Sequence, residues 1–360
     1  MKKIVCGWIT ALFLFAPVSV FAESETPVFT EAPAVSAETA VVLELQTGRI
    51  LYEKNCTEKA YPASTTKIMT ALLAIEDGDL DQKIKVSDHA VGTEGSSIYL
   101  QEGERVLLKD LVYGLMLRSG NDAAVAIAEG ISGDVETFVG SMNERAKRIG
   151  TAGTRFVNPN GLFDENHYTT ALDMALIART AMMNPEFRKV AAAKDWKASR
   201  EDSDYNYFTN KNKVVYQYEG GTGIKIGYTT ATGRTLVASS ERDGMEVICV
   251  VMQAPDWFRD SYKLMDWAYE NFGLQEIAPA ERELCALPTQ RGGKDHVLIG
   301  PKKSILCPVK KDGSEQIGMR FDLPKRAKGT IRRWQEVGWL DLSVNGEAIC
   351  KQKLYYLEDV

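Results

Sequence analysis

Ser64 and Lys67 stand three residues apart in "YPASTTKIMTALLAIEDG", at the start of an apolar run with helical spacing, so their side chains share one helix face. A serine attacks a carbonyl only when something takes its proton, and a lysine does so when burial or a second cation depresses its pKa. Amides at a helix start can meanwhile stabilise a developing oxyanion. Taken alone, the pair also fits a capping serine and a lysine snorkelling off the helix side. Ser119, Gly120 and Asn121 form a second cluster in "RSGND", at a break between helical patterns where a cap is equally at home. Lys225 in "GIKIGYT" lies on a β-like segment bounded by glycines, where a lysine ordinarily guards a sheet edge.

These residues need a frame. "AVVLELQTGRILYEKN" reads as two strands joined at a turn containing Thr47 and Gly48. Apolar residues recur at helical spacing from Ser64 to about Ile75, and again over 108–117, 121–131, 134–148 and 171–183. Beyond residue 213 the pattern turns to strands in "TGIKIGY", "RTLVASS" and "MEVICVVMQA", with a hairpin Asp-Gly at 243–244. "DSYKLMDWAYENFG" reads as a closing helix ending at Gly273. Strands at both ends with helices between predict an α+β domain over 38–278, its antiparallel sheet pairing first strand with last beside a helical subdomain. Past Pro279, short apolar runs punctuated by "LPTQ", "RGGKD", "VKKDG" and "SVNGE" predict a small all-β, sandwich-like domain over 279–360.

Residues 1–22, "MKKIVCGWITALFLFAPVSVFA", carry two lysines, an apolar stretch and small residues at Val20 and Ala22, the pattern of a cleaved secretory signal; an uncleaved anchor is the alternative. Residues 23–37, rich in Pro, Glu, Ser and Thr, read as an exposed leader. Without residues 1–22 the chain has 41 Lys and Arg against 49 Asp and Glu, a net charge of −8 that argues against a nucleic-acid partner. Five cysteines then remain, Cys56, Cys249, Cys285, Cys307 and Cys350, with no CxxC and no nearby histidine, which removes zinc and thioredoxin-like readings. A disulfide among the three beyond residue 280 stays open. No HExxH and no carboxylate cluster at ligand spacing points to a metal. With His89, His167 and His296 as the only histidines and no Gly-x-Ser-x-Gly, a Ser-His-Asp hydrolase is set aside.

In their order, Ser64-x-x-Lys67, Ser119-Gly120-Asn121 and Lys225-Ile226-Gly227 resemble the three motifs of the D-alanyl-D-alanine carboxypeptidases, the low-molecular-mass penicillin-binding proteins. "LMLRSGNDAAVAIAE", "FVNPNGLFDENHYTTALDMA" and "GYTTATGRTLVASSERDGM" look like family segments too, and the likeness runs from about residue 38 through the C-terminal domain. It implies a β-lactamase/transpeptidase-like fold followed by a small β domain. It also implies an exported serine enzyme of cell-wall biogenesis, without metal or cofactor. Such an enzyme removes the terminal D-alanine from peptidoglycan stem peptides ending in D-Ala-D-Ala and is acylated by β-lactam antibiotics. On the matched positions, Ser64 is the acylated nucleophile, Lys67 its general base, and Ser119 a proton shuttle toward the leaving D-alanine nitrogen. Asn121 holds the substrate amide and Lys67, while Lys225 binds substrate and helps keep Lys67 neutral. The backbone NH groups of Ser64 and Tyr228 form the oxyanion hole.

Ile226 breaks the pattern, because the family threonine at this place donates to the substrate's terminal carboxylate. Losing one hydrogen bond to a charged group costs roughly 1.5–3 kcal/mol, a factor of about 10 to 150. Arg259 is a candidate substitute. The chain also closes on "KQKLYYLEDV", which reads as a strand and short acidic tail where many relatives have an amphipathic membrane helix. Two rivals follow. A turnover-deficient peptidoglycan- or β-lactam-binding protein is favoured by Ile226 and opposed by the intact Ser64, Lys67, Ser119, Asn121 and Lys225. A class A β-lactamase needs a glutamate to activate water, and "NPNGLFDENH" offers no matching loop.

Overall fold

The computed structural model describes residues 28–200, 203–290 and 294–360; the signal-peptide reading of residues 1–22 lies outside them. Five strands, β1 (Thr39–Glu44), β2 (Ile50–Lys54), β3 (Gly221–Thr229), β4 (Gly233–Arg242) and β5 (Met245–Met252), form one antiparallel sheet in the order β2-β1-β5-β4-β3. First and last strands pair as predicted, from Thr39 opposite Met252 to Glu44 opposite Val247. Every residue of β5 is buried because both sheet faces are covered. Ile248, Val250 and Met252 face one core, Val247, Cys249 and Val251 the other, so "MEVICVVM" reads as an unbroken apolar run. Asp243 and Gly244, both at positive φ, make the two-residue turn that joins β4 to β5.

The first core is the helical block: α1 (Lys67–Asp77), α2 (Leu108–Tyr113), α3 (Asn121–Ser132), α4 (Val135–Ile149), α5 (Ala171–Met182) and α6 (Pro185–Ala192). Ile68, Leu72, Leu111, Ile127, Phe138 and Met174 are buried together there. Two helix ends differ from the apolar spacing. Ala63–Thr66 is a 3-10 turn and α1 starts only at Lys67, since Thr65 Oγ1 bonds back to Pro62 O and Thr66 Oγ1 is held by His167. The helix expected over 108–117 becomes a π turn at Gly114–Arg118 and ends on Ser119 in the left-handed region, φ 66°. Such one-turn widenings commonly mark functional sites.

The closing helix α7 (Trp257–Asn271) covers the other sheet face. It ends short of Gly273 because Asn271 Nδ2 bonds to Trp267 O while its Oδ1 accepts from Thr30 N, leaving Phe272 extended. Residues 28–37 have no regular structure and are mostly exposed, yet they are fastened to α7. Phe29 packs edge-on against Trp267 and Phe272, and Ser36 Oγ and Ala37 N both bond Asp260 Oδ2. The segment read as a leader is therefore part of the folded unit from residue 28 on.

The C-terminal strands are β6 (Phe272–Ala278), β7 (Cys285–Pro288), β8 (His296–Gly300), β9 (Ile305–Lys310), β10 (Ile317–Asp322), β11 (Glu336–Val344) and β12 (Glu347–Tyr356). β6 pairs with β9, and the others form an antiparallel sheet β7-β8-β12-β11-β10 over a core of Val297, Ile299, Leu340, Leu342 and Leu354. Phe272 packs in the α7 core and Ala278 in this one, so the 278/279 boundary follows a strand already paired with the C-terminal unit. Arg49 joins the units by pairing with Glu315, and Lys311 Nζ does so by donating to Tyr269 O. The five described cysteines are free thiols, so the disulfide left open in the sequence does not form.

Candidate active site

The Ser64 turn is gripped by backbone. A Cβ on Gly161, whose φ is 85°, would lie 1.9 Å from Ala63 O and 3.0 Å from Ser64 N. One on Gly227 would lie 3.0 Å from both Pro62 O and Ser64 N. Only glycine lets the 158–162 turn and strand β3 come this close to the Ser64 amide. The Tyr228 amide follows directly in β3, while the Tyr228 side chain is 60% exposed.

Lys67 is fully buried at the head of α1. Its Nζ reaches Ser64 Oγ at 3.0 Å, Asn121 Oδ1 at 2.7 Å and the carbonyl oxygen of Asn160. Burial first, and the charge of Lys225 second, hold its ammonium well below the usual lysine range; Lys211 adds to this and Asp122 opposes it. The two carbonyl oxygens can only accept. A neutral amine has two N–H donors, which they fill, so its lone pair is left for the Ser64 hydroxyl.

Asn121 opens α3 and is itself fixed: its N–H donates to Ser96 O at 2.6 Å and its Nδ2 to Glu94 O. The neighbouring Asp122 carboxylate is buried and accepts from Ser97 Oγ and from the amides of Ile98 and Leu100. Ser119, buried at the end of the π turn, lies two residues before Asn121; among the described residues no side-chain bond ties it to the cluster. Lys225 is 2% exposed, donates to Ile226 O at 3.0 Å, and is brought down to about 7 by burial and then by the Lys211 charge. Ile226 is half-buried and packs against the α7 core. Arg259, the candidate substitute for the missing hydroxyl, is exposed on α7.

The profile of the D-alanyl-D-alanine carboxypeptidase family matches residues 26–256. The chain belongs to this family. A second profile, that of the C-terminal domain of penicillin-binding protein 5, matches residues 272–360, beginning at the first residue of β6. D-alanyl-D-alanine carboxypeptidase DacF of Bacillus subtilis is 32% identical over 373 residues, covering 100% of this chain and 95% of its own. DacC of Escherichia coli is 30% identical over 370 residues, covering 97% and 89%. Penicillin binding protein 5 of Haemophilus influenzae has a similar crystal structure, with a TM-score of 0.76 at 29% identity over 92% of this chain and 99% of that one. The transpeptidase-like α+β fold with an all-β C-terminal domain is thus the one expected from the motifs.

Within this carboxypeptidase fold, four residues that the motif reading did not single out shape the site. Asn160 supplies an acceptor for Lys67, and Gly161 makes room for the Ser64 turn. His167 is held neutral, brought down to about 4 chiefly by burial. Its Nδ1 accepts from Val157 N at 3.2 Å, which leaves the proton on Nε2, 2.7 Å from Thr66 Oγ1. Together with Thr70 Oγ1 donating to Pro159 O at 2.6 Å, this clamps the 157–167 loop onto α1. Lys211, exposed at the surface, supplies charge that acts on both Lys225 and Lys67. The turn signal in Asn-Pro-Asn-Gly marks the loop in the sequence, but not what it touches.

Proposed function

We propose that Ser64 is the acyl carrier of a serine-type carboxypeptidase that removes the terminal D-alanine from peptidoglycan stem peptides ending in D-Ala-D-Ala. One observation carries this reading. The buried Lys67 has Asn121 Oδ1 and Asn160 O on two sides and Ser64 Oγ on the third, at 3.0 Å. Neutral Lys67 takes the Ser64 proton as Oγ bonds to the penultimate D-alanine carbonyl carbon. The Ser64 and Tyr228 amides hold the oxyanion. The C–N bond then breaks, and a proton passed through Ser119 leaves with the D-alanine amine. Water next splits the ester, with Lys67 as base, and restores the Ser64 hydroxyl. β-Lactams acylate the same hydroxyl. Lys225 supplies positive charge for the substrate carboxylate, a larger share of the task because Ile226 has no hydroxyl to give.

D-alanine release from a peptide ending in D-Ala-D-Ala, set against a Ser64→Ala control, tests the reading. Release that vanishes in the control is the expected result; none above the control from folded protein overturns it. The second reading, a β-lactam- or peptidoglycan-binding protein without turnover, draws its support from Ile226 alone. A β-lactamase is disfavoured by the 158–162 turn, which places a backbone carbonyl, and no carboxylate, on Lys67. Action on peptidoglycan places the protein outside the cytoplasm. Among the described residues no helix is long and apolar enough to cross a membrane.

A further inference from the structure

Charge is divided unevenly along the chain. Residues 23–278 carry 26 Lys and Arg against 38 Asp and Glu, a net −12, whereas residues 279–360 carry 15 against 11, a net +4. The positive share has a focus. In β12, Leu354 and Tyr356 turn into the core, so Lys351, Lys353 and Tyr355 alternate onto the outer face. Register sets Trp339 of β11 beside Lys353. The 301–304 loop adds Lys302 and Lys303, and β9 adds Leu306, 40% exposed. These residues line a groove of about 630 Å³ that Gln46 of the first unit also borders.

A groove of this size takes a ligand of several rings rather than a single ion. Lys302 Nζ lies 4.4 Å from the Tyr355 ring centre and Lys353 Nζ 5.4 Å from that of Trp339. Lys353 pairs with Glu336 and Lys351 with Asp341, whereas among the described residues Lys302 and Lys303 have no acidic partner. Half-exposed aromatic faces suit the C–H faces of sugar rings, and the ammonium groups suit carboxylates spaced along a polymer. Among the described residues no arginine lines the groove, so they offer it no forked donor of the kind that favours phosphate. Its concavity suits a strand laid along it better than the plane of a lipid surface.

We propose that this groove is a second, non-catalytic site that binds an uncross-linked peptidoglycan strand through its sugar rings and the carboxylates of its stem peptides. Holding the polymer on the C-terminal unit raises the local concentration of stems around the first unit. Nothing in the inference uses the acyl-enzyme, so it does not depend on the role of Ser64.

The test is co-sedimentation of the Ser64→Ala protein with insoluble peptidoglycan stripped of attached phosphate polymers. Poly(glycerol phosphate) and phosphatidylglycerol vesicles serve as comparison ligands. The double change Lys302→Glu and Lys303→Glu is expected to weaken peptidoglycan binding at least tenfold and to leave the thermal midpoint unchanged. In protein with Ser64 intact, the same pair is expected to leave D-alanine release from a short soluble peptide unchanged. If the midpoint falls, Lys303→Gln alone is read in its place, with a smaller loss expected. Unchanged binding in these variants, or tighter binding of the parent to either comparison ligand, overturns the proposal. Groove-dependent binding without any D-alanine release supports the groove and counts against the Ser64 reading only.

Discussion

Gly161 and Ala63 meet backbone to backbone: a Cβ on Gly161 would stand 1.9 Å from the Ala63 carbonyl oxygen, inside any real contact distance. Gly161 also has φ 85°, so a side chain there is opposed by both space and conformation. Gly161→Ala is expected to push the Ser64 turn away from Lys67. A displacement of about 1 Å at a nucleophile costs on the order of 100-fold. Acylation by a fluorescent penicillin measures it, with Gly140→Ala as control, since nothing lies within 4 Å of a Cβ there. Equal acylation rates in the two variants would refute the gripping role.

Two buried lysines predict the pH profile. Under the proposed mechanism, activity is expected to rise as Lys67 loses its proton, and to fall near pH 7 as Lys225, brought to about 7, loses the charge assigned to the substrate carboxylate. Lys211 lowers both, so Lys211→Ala is expected to move both limbs of the kcat/KM profile to higher pH. A profile that stays in place would show that Lys211 does not act on them.

Ile226→Thr restores the hydroxyl that the family has at this place. A bond to the substrate carboxylate is worth about 1.5–3 kcal/mol, so kcat/KM is expected to rise about tenfold or more, mostly through KM. The change also removes apolar contact with the α7 core, and a drop in thermal midpoint should accompany the gain. A rise from no detectable turnover would favour the non-catalytic reading.

His167 links the loop to acid stability. Its folded pKa, about 4, lies below the value near 6.5 of an unfolded chain, so the unfolded state binds more protons between these pH values. Its contribution is therefore complete above pH 6.5 and is lost as pH falls toward 4, by about 3 kcal/mol at most. Urea unfolding across this range should show the slope in the parent and a shallower one in His167→Gln. Parallel curves would remove His167 from the account.

What the sequence by itself determined is local. Three-residue spacing puts Ser64 and Lys67 together, alternation and Asp243-Gly244 define the β4–β5 hairpin, and apolar periodicity marks the helices. Each follows from backbone geometry over a few residues. Tertiary structure decided the chemistry, because the groups that set it are far apart in the chain. Lys67 meets Asn121 across 54 positions and Asn160 across 93, and no periodicity encodes either meeting. The 3-10 turn at Ser64 and the π turn before Ser119 escape the same reasoning: Thr66 is held by His167 from 101 positions away, and Gly114, where the π turn begins, lies against Ile98 with no room for a Cβ. Charge shows the same division: a net −8 over residues 23–360 counts residues, while the basic groove exists because the fold gathers lysines from β12 and the 301–304 loop beside Trp339. Spacing along a chain decides which face a side chain takes; packing decides what that face meets, and with it the proton that Lys67 can accept.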